Sequence, residues 1–169
     1  MSLTKIISGY TQYNLWANER LSQWLASLES NLLYEETLSS FRSIDKTLQH
    51  MSQSQNFWFA VITEAGTANL DLPTKSDRRA DTAIHDLLTG SQQMLKTFTD
   101  YSEDELLKQI PSTDMVQSRY EFILHLVNHN SYHRGQIVTM SRYLGVVDNI
   151  PAMDYEVFLW TTVNHDRVF

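Results

Sequence analysis

SRYEFILHLVNHNSYHRGQIVTMSRYLG, residues 118–145, reads as one long helix with both ends marked. Ser118 and Glu121 have capping-box spacing, in which each side chain satisfies a backbone N–H that the first turn leaves unpaired. Gly145 stands where the chain must leave the helix in a left-handed conformation. Within this stretch His125, His129 and His133 recur every four residues and make up three of the six histidines in the chain. Helical positions i and i+4 share a face one turn apart, so two imidazoles can converge on one ion. All three cannot, because roughly 12 Å of helix rise separates His125 from His133, against a metal–nitrogen bond of about 2.0–2.1 Å. The spacing admits one adjacent pair and leaves open which.

Outward from this helix the same periodicity recurs. From Leu3 to about Leu28 apolar residues such as Ile6, Tyr10, Tyr13, Leu21 and Leu25 keep the three-and-four spacing of a first helix. A second runs from about Ile44 to Thr63, with Ile44, Leu48, Met51, Gln55, Trp58 and Ile62 on one stripe and His50 near its middle. The stretch GTANLDLPTKSDRRAD, Gly66 to Asp81, is long enough for a crossover to a helix that is not a simple antiparallel neighbour. The third helix is expected to start at Asp81 as N-cap and to run through Phe98, weakened only modestly by Gly90. Between Tyr101 and Gln117 the period is lost, and a loop with at most a short helical turn is expected around Pro111. After Pro151 the segment DYEVFLWTTVN, Asp154 to Asn164, fits a short closing helix and, with its β-branched and aromatic residues, a strand nearly as well. Four long amphipathic helices without convincing strands predict an all-α, four-helix bundle forming one domain over residues 1–169, with a short extra C-terminal segment.

Composition narrows the chemistry. The chain has 169 residues, 42% of them hydrophobic, and a net charge of −7. No basic stripe is present to neutralise a phosphate backbone, so nucleic acid is not an expected partner. There is no cysteine, which removes disulfides, thiolate nucleophiles and sulfur-ligated metal sites together. The N-terminal stretch is interrupted early by Gly9, Gln12, Asn14 and Asn18, so neither a signal peptide nor a membrane span is expected, and the location expected is the cytoplasm.

Any metal must therefore be held by nitrogen and oxygen. Facing helices of a bundle build metal sites from inward side chains, and His50 on the second helix is the candidate third ligand. Three neutral imidazoles leave the charge of a divalent ion uncompensated, which suits it to lower the pKa of a bound water or thiol. A histidine pair at i, i+4 is also common on exposed helix faces, so the pair alone is weak evidence. No glutamate separates the histidines, since Asn130, Ser131 and Tyr132 intervene, which disfavours a metalloprotease of the HExxH type. The glutamates of a di-iron bundle are missing as well. His85 and His165 read as solvated. Trp16, Trp24, Trp58 and Trp160 read more readily as core than as pocket lining. Arg134, about 100° round the helix from His133, is expected to tie down a neighbouring segment, whereas Gln53 and Gln136 are weak candidates for substrate contacts.

Three stretches carry a family likeness: YNLWANERL (13–21), SIDKTLQHMSQSQNFWF (43–59) and HLVNHNSYHRGQI (125–137). In these the chain resembles the DinB family, regarded as metalloenzymes and unrelated to the translesion polymerase of similar name. The resemblance implies an up-down-down-up four-helix bundle, frequently a homodimer, whose tie to DNA damage is inducible expression, a stress response. It implies one divalent ion held by His50, His129 and His133, with His125 packed in the bundle or hydrogen-bonded below the site; imidazole donors suit zinc, nickel, copper and iron, and of these zinc or nickel is expected. It further implies transferase or isomerase chemistry on a small-molecule substrate, in which the metal activates a low-molecular-weight thiol such as bacillithiol, mycothiol or glutathione; hydrolysis by activated water is equally compatible with the lack of cysteine. The competing expectation is a non-enzymatic, dimeric metal-binding stress protein in which the ion only ties two helices together.

Overall fold

The computed structural model describes residues 2–67, 79–112 and 115–163. It is mostly helical. Helix α1 (Leu3–Ala26) starts at Ser2, whose hydroxyl accepts the Lys5 N–H, and α2 (Ile44–Thr63) starts at Ser43, which accepts from Lys46 in the same way. A 3-10 turn, Ser30–Leu33, lies between them. Helix α3 (Ala80–Phe98) begins earlier than expected: Arg79, not Asp81, is its N-cap, and Asp81 sits in the first turn. The acceptor that a capping side chain would supply comes instead from Tyr34, whose hydroxyl lies 3.3 Å from the Ala80 N–H. The carboxylate of Asp81 still complements the positive end of the helix dipole.

The segment expected as a loop between Tyr101 and Gln117 contains more structure. A five-residue helix α4 (Glu103–Leu107), opened by a Ser102–Glu105 capping box, leads into a hairpin of β1 (Gln109–Pro111) and β2 (Val116–Ser118), with Ile110 opposite Gln117. Three-residue strands are too short to display an alternation, which is why the pattern was silent. Helix α5 (Arg119–Tyr143) then runs the length of the molecule. It opens on the Ser118–Glu121 box and closes as predicted: Gly145 has φ +89°, its N–H reaches Arg142 O, and the Val146 N–H reaches Ser141 O. Those two bonds define a Schellman motif. The closing segment is a helix, α6 (Tyr155–Val163), not a strand; Tyr155 and Phe158 pack on Tyr13. The expected crossover around Pro73, and His165 in the tail, lie outside the described residues.

Helices α1, α2, α3 and α5 form the bundle, with α1 and α2 each packed against both α3 and α5. The core is divided. One apolar cluster contains Leu21, Leu25, Ile44, Leu48, Met51, Leu87 and Ile137; a second contains Ile7, Ile62, Met94, Phe98, Phe122 and Leu126. Between them lies a buried polar layer with a member from every bundle helix: Asn14, Asn18, Gln55, Ser91, Asn130 and Arg134. Asn130 Nδ2 donates to Asn14 Oδ1 and Gln55 Oε1, Ser91 donates to Gln55 Oε1, and the Asn18 amide donates to Ser91. Such a layer contributes less stability than aliphatic packing but fits one helix register only. Trp24 is buried, in line with its reading as core, while Trp160 is 71% exposed and is not core. No helix among the described residues is long and apolar enough to cross a membrane.

Candidate metal centre

The polar layer sets the height at which the histidines meet. Gln55 and Asn130 join α2 to α5 in the interior, and Arg119 Nε donates to Ile62 O at the far end of α2, so the two helices run in opposite directions along a shared seam. On the flank of that seam His50 from α2 and His129 and His133 from α5 converge. His129 Nε2 lies 3.2 Å from His50 Nε2 and 3.1 Å from His133 Nε2. One potential ligand atom from each of the three lies within 4.8 Å of both others. Two nitrogens bound to one ion at about 2.05 Å, with an angle of about 100° to 110° between them, stand about 3.1–3.4 Å apart, so the spacing fits a divalent ion.

The protonation state fits as well. Burial, and next the positive charge that His133 would carry, push His50 down to about 4. Burial and the neighbouring histidines push His129 to about 4. Burial also lowers His133, partly opposed by its hydrogen bond to Gln136. Near neutral pH the three imidazoles are therefore uncharged and carry lone pairs. For His133 the tautomer is set by Nδ1, which donates to Gln136 Oε1 at 2.7 Å and leaves Nε2 facing its partners. His129 Nδ1 is buried without a partner among the described residues. Phe41, in the segment between α1 and α2, stacks on the His50 ring at 4.2 Å and meets His133 edge-on at 5.6 Å, so it roofs the cluster. No carboxylate joins the cluster among the described residues.

The remaining candidates fall elsewhere. His125 is exposed, with its ring set edgewise on Trp58 at 4.7 Å; it is neither packed in the bundle nor part of the cluster. Arg134 turns away from the histidines, donates to Asn18 Oδ1, Ser131 Oγ and the Tyr13 hydroxyl, and ties α5 to α1 as its angular position implied. Gln136 holds His133 where a substrate contact was expected of it. His85 is exposed, as read. Sequence reasoning missed Phe41, which lies in an aperiodic segment, and the polar layer. The layer did leave a signal, since Asn14, Asn18 and Gln55 occupy inward positions of apolar stripes.

The DinB family model matches residues 1–167. The chain belongs to the DinB family. Among curated DinB relatives, Protein DinB of Bacillus subtilis (strain 168) is 28% identical over 160 residues, covering 89% of this chain and 92% of that one. The uncharacterized protein YizA of the same strain is 22% identical over 138 residues, covering 80% of this chain and 86% of its own. A crystal structure of a DinB-like protein from Bacillus cereus ATCC 10987 superposes with a TM-score of 0.61 at 16% identity, over 85% of this chain and 95% of that one, and so shows the DinB-like fold. The family assignment thus agrees with the likeness seen in the three sequence stretches.

Proposed function

We propose that this DinB-family chain is a metal-dependent enzyme in which His50, His129 and His133 hold one divalent ion, zinc or nickel. The observation that carries this reading is the convergence of three uncharged Nε2 atoms from two facing helices at ligand spacing. Bound there, such an ion would supply Lewis-acid chemistry, lowering the pKa of a thiol or water. The protein's part is to keep the imidazoles neutral by burial, to fix the His133 tautomer through Gln136, and to shield the site from bulk water with Phe41. The attacking sulfur, if the nucleophile is a thiol, must arrive with a cosubstrate, because the chain has no cysteine. The substrate we propose is a small electrophile, acted on by a cytoplasmic homodimer.

The test is elemental analysis of tag-free protein alongside His50→Ala, His129→Ala, His133→Ala and His125→Ala, followed by a panel of electrophiles with bacillithiol, mycothiol, glutathione or water. About one equivalent of metal in wild type and His125→Ala, lost in the other three, supports the centre. Turnover above the His50→Ala background supports the enzyme. A second reading draws on Phe41: a ring stacked over His50 favours a closed site whose ion only braces α2 against α5. In that case metal is retained without an exchangeable ligand and no thiol or electrophile is turned over.

A further inference from the structure

Next to the imidazole cluster, α5 and the segment between α1 and α2 enclose an open cleft of about 920 Å³. That is the size of a small-molecule site. It shares Gln136, the residue bonded to His133, with the candidate centre, and Tyr132, whose ring meets His133 edge-on at 5.1 Å, lines it too. Its apolar lining is unusually uncovered: Leu38 is 94% exposed, Tyr132 62% and Tyr143 66%, while Met140 is buried. Among the described residues Arg42 is the single charged side chain that lines it, and no acid pairs with it. Arg42 also has φ +64°, a backbone conformation that glycine adopts freely and arginine does not. That conformation is held by a local turn, in which Arg42 O accepts from the Thr37 N–H and hydroxyl and the Arg42 N–H reaches Ser39 O, so the turn fixes where the exposed guanidinium leaves the chain.

We propose that the cleft binds the body of the molecule acted on at the histidine site, and that this molecule is a small organic anion with an aromatic or alkyl portion. This rests on the functional reading above and adds the substrate class to it. Arg42 takes the anionic group, and Leu38, Tyr132, Met140 and Tyr143 receive the apolar part, which removes their exposed surface from water. The reacting end then points past Gln136 toward the imidazoles.

Naphthalene-2-carboxylate and its neutral isostere naphthalene-2-methanol serve as probes, titrated by NMR against wild type, His85→Ala, Arg42→Gln, Arg42→Lys and Tyr143→Ala. The substituted positions are all exposed, and a thermal melt confirms that each variant is folded. The carboxylate is expected to bind saturably at one site, about tenfold or more weaker in Arg42→Gln, with most of the loss restored in Arg42→Lys. The alcohol changes less than about twofold in Arg42→Gln, and Tyr143→Ala weakens both probes. His85→Ala, an exposed position on α3 outside the cleft, leaves both unchanged. Absence of saturable binding, equal losses of both probes in Arg42→Gln, or exclusion of both by self-association as protein concentration rises overturns the proposal. Metal bound without probe refutes this inference alone, and probe bound without metal refutes the metal reading alone.

Discussion

Nδ1 of His133 donates to Oε1 of Gln136, one turn further along α5, at 2.7 Å. That bond fixes both the tautomer and the rotation of the ring, and so points Nε2 at His129. Gln136→Leu should weaken binding of zinc about 10–100-fold, the usual cost of removing an outer partner of a ligating histidine, while the melting temperature of the metal-free protein stays nearly constant. Gln136→Glu should retain affinity. Competition against a chromophoric chelator reads both.

An ion shared by α2 and α5 must also stabilise the fold by mass action. At a free zinc concentration about 100 times the Kd the gain is about 2.7 kcal/mol, or roughly 5–11 °C in Tm for a chain of this size. Calorimetry with and without chelator should show that rise in wild type and His125→Ala and none in His129→Ala. The contrast is sharp because His125 stands one turn away, exposed, against Trp58.

Acid should destabilise the metal-free protein in a defined window. His50 and His129 have their pKa lowered to about 4 in the fold, against 6.5 ordinarily. The unfolded chain therefore binds protons that the folded chain refuses as pH falls from 6.5 toward 4, and stability declines across that interval and levels off for these groups below it. Well above pH 6.5 both states are unprotonated and they contribute no slope. Both histidines are partly exposed, so solvent screening limits the effect. Urea midpoints at pH 7.5, 6, 5 and 4 should fall less steeply in a His50→Gln, His129→Gln double variant than in wild type.

Gly90→Ala, a change that adds about 1 kcal/mol in most helix interiors, should here destabilise by about 1–3 kcal/mol. A Cβ at Gly90 would collide with Gln55 Nε2. Gln55 cannot yield easily, because its Nε2 donates to Leu87 O while Oε1 accepts from Ser91 and Asn130. Gly90→Ala combined with Gln55→Ala should recover part of the loss, a coupling that denaturant titration of the cycle measures.

Gly90 also shows where sequence reading ran short. Its cost to α3 was visible as a propensity, yet its use, a close approach of α3 to Gln55, depends on a helix 35 positions upstream. Helix α2 was read with its observed bounds, Ile44–Thr63, and both ends of α5 were marked by capping chemistry, because caps are local. The start of α3 was misplaced because Tyr34, 46 residues away, supplies the acceptor for the Ala80 N–H. Spacing limited the α5 ligands to one adjacent pair, and family likeness favoured His129 and His133. The Phe41 roof and the Arg42 backbone belong to an aperiodic segment, where no period exists to be read.

The three imidazoles stand on α2 and α5, whereas the ring above them belongs to the connection between α1 and α2. The tripod and its cover are thus carried by separable stretches of chain. Lengthening or rewriting residues 35–42, beyond the Tyr34 hydroxyl that meets the start of α3, would alter what is admitted to the imidazoles while the helices that carry them stay in place, so proteins that share this bundle can differ in diet while keeping the same anchor.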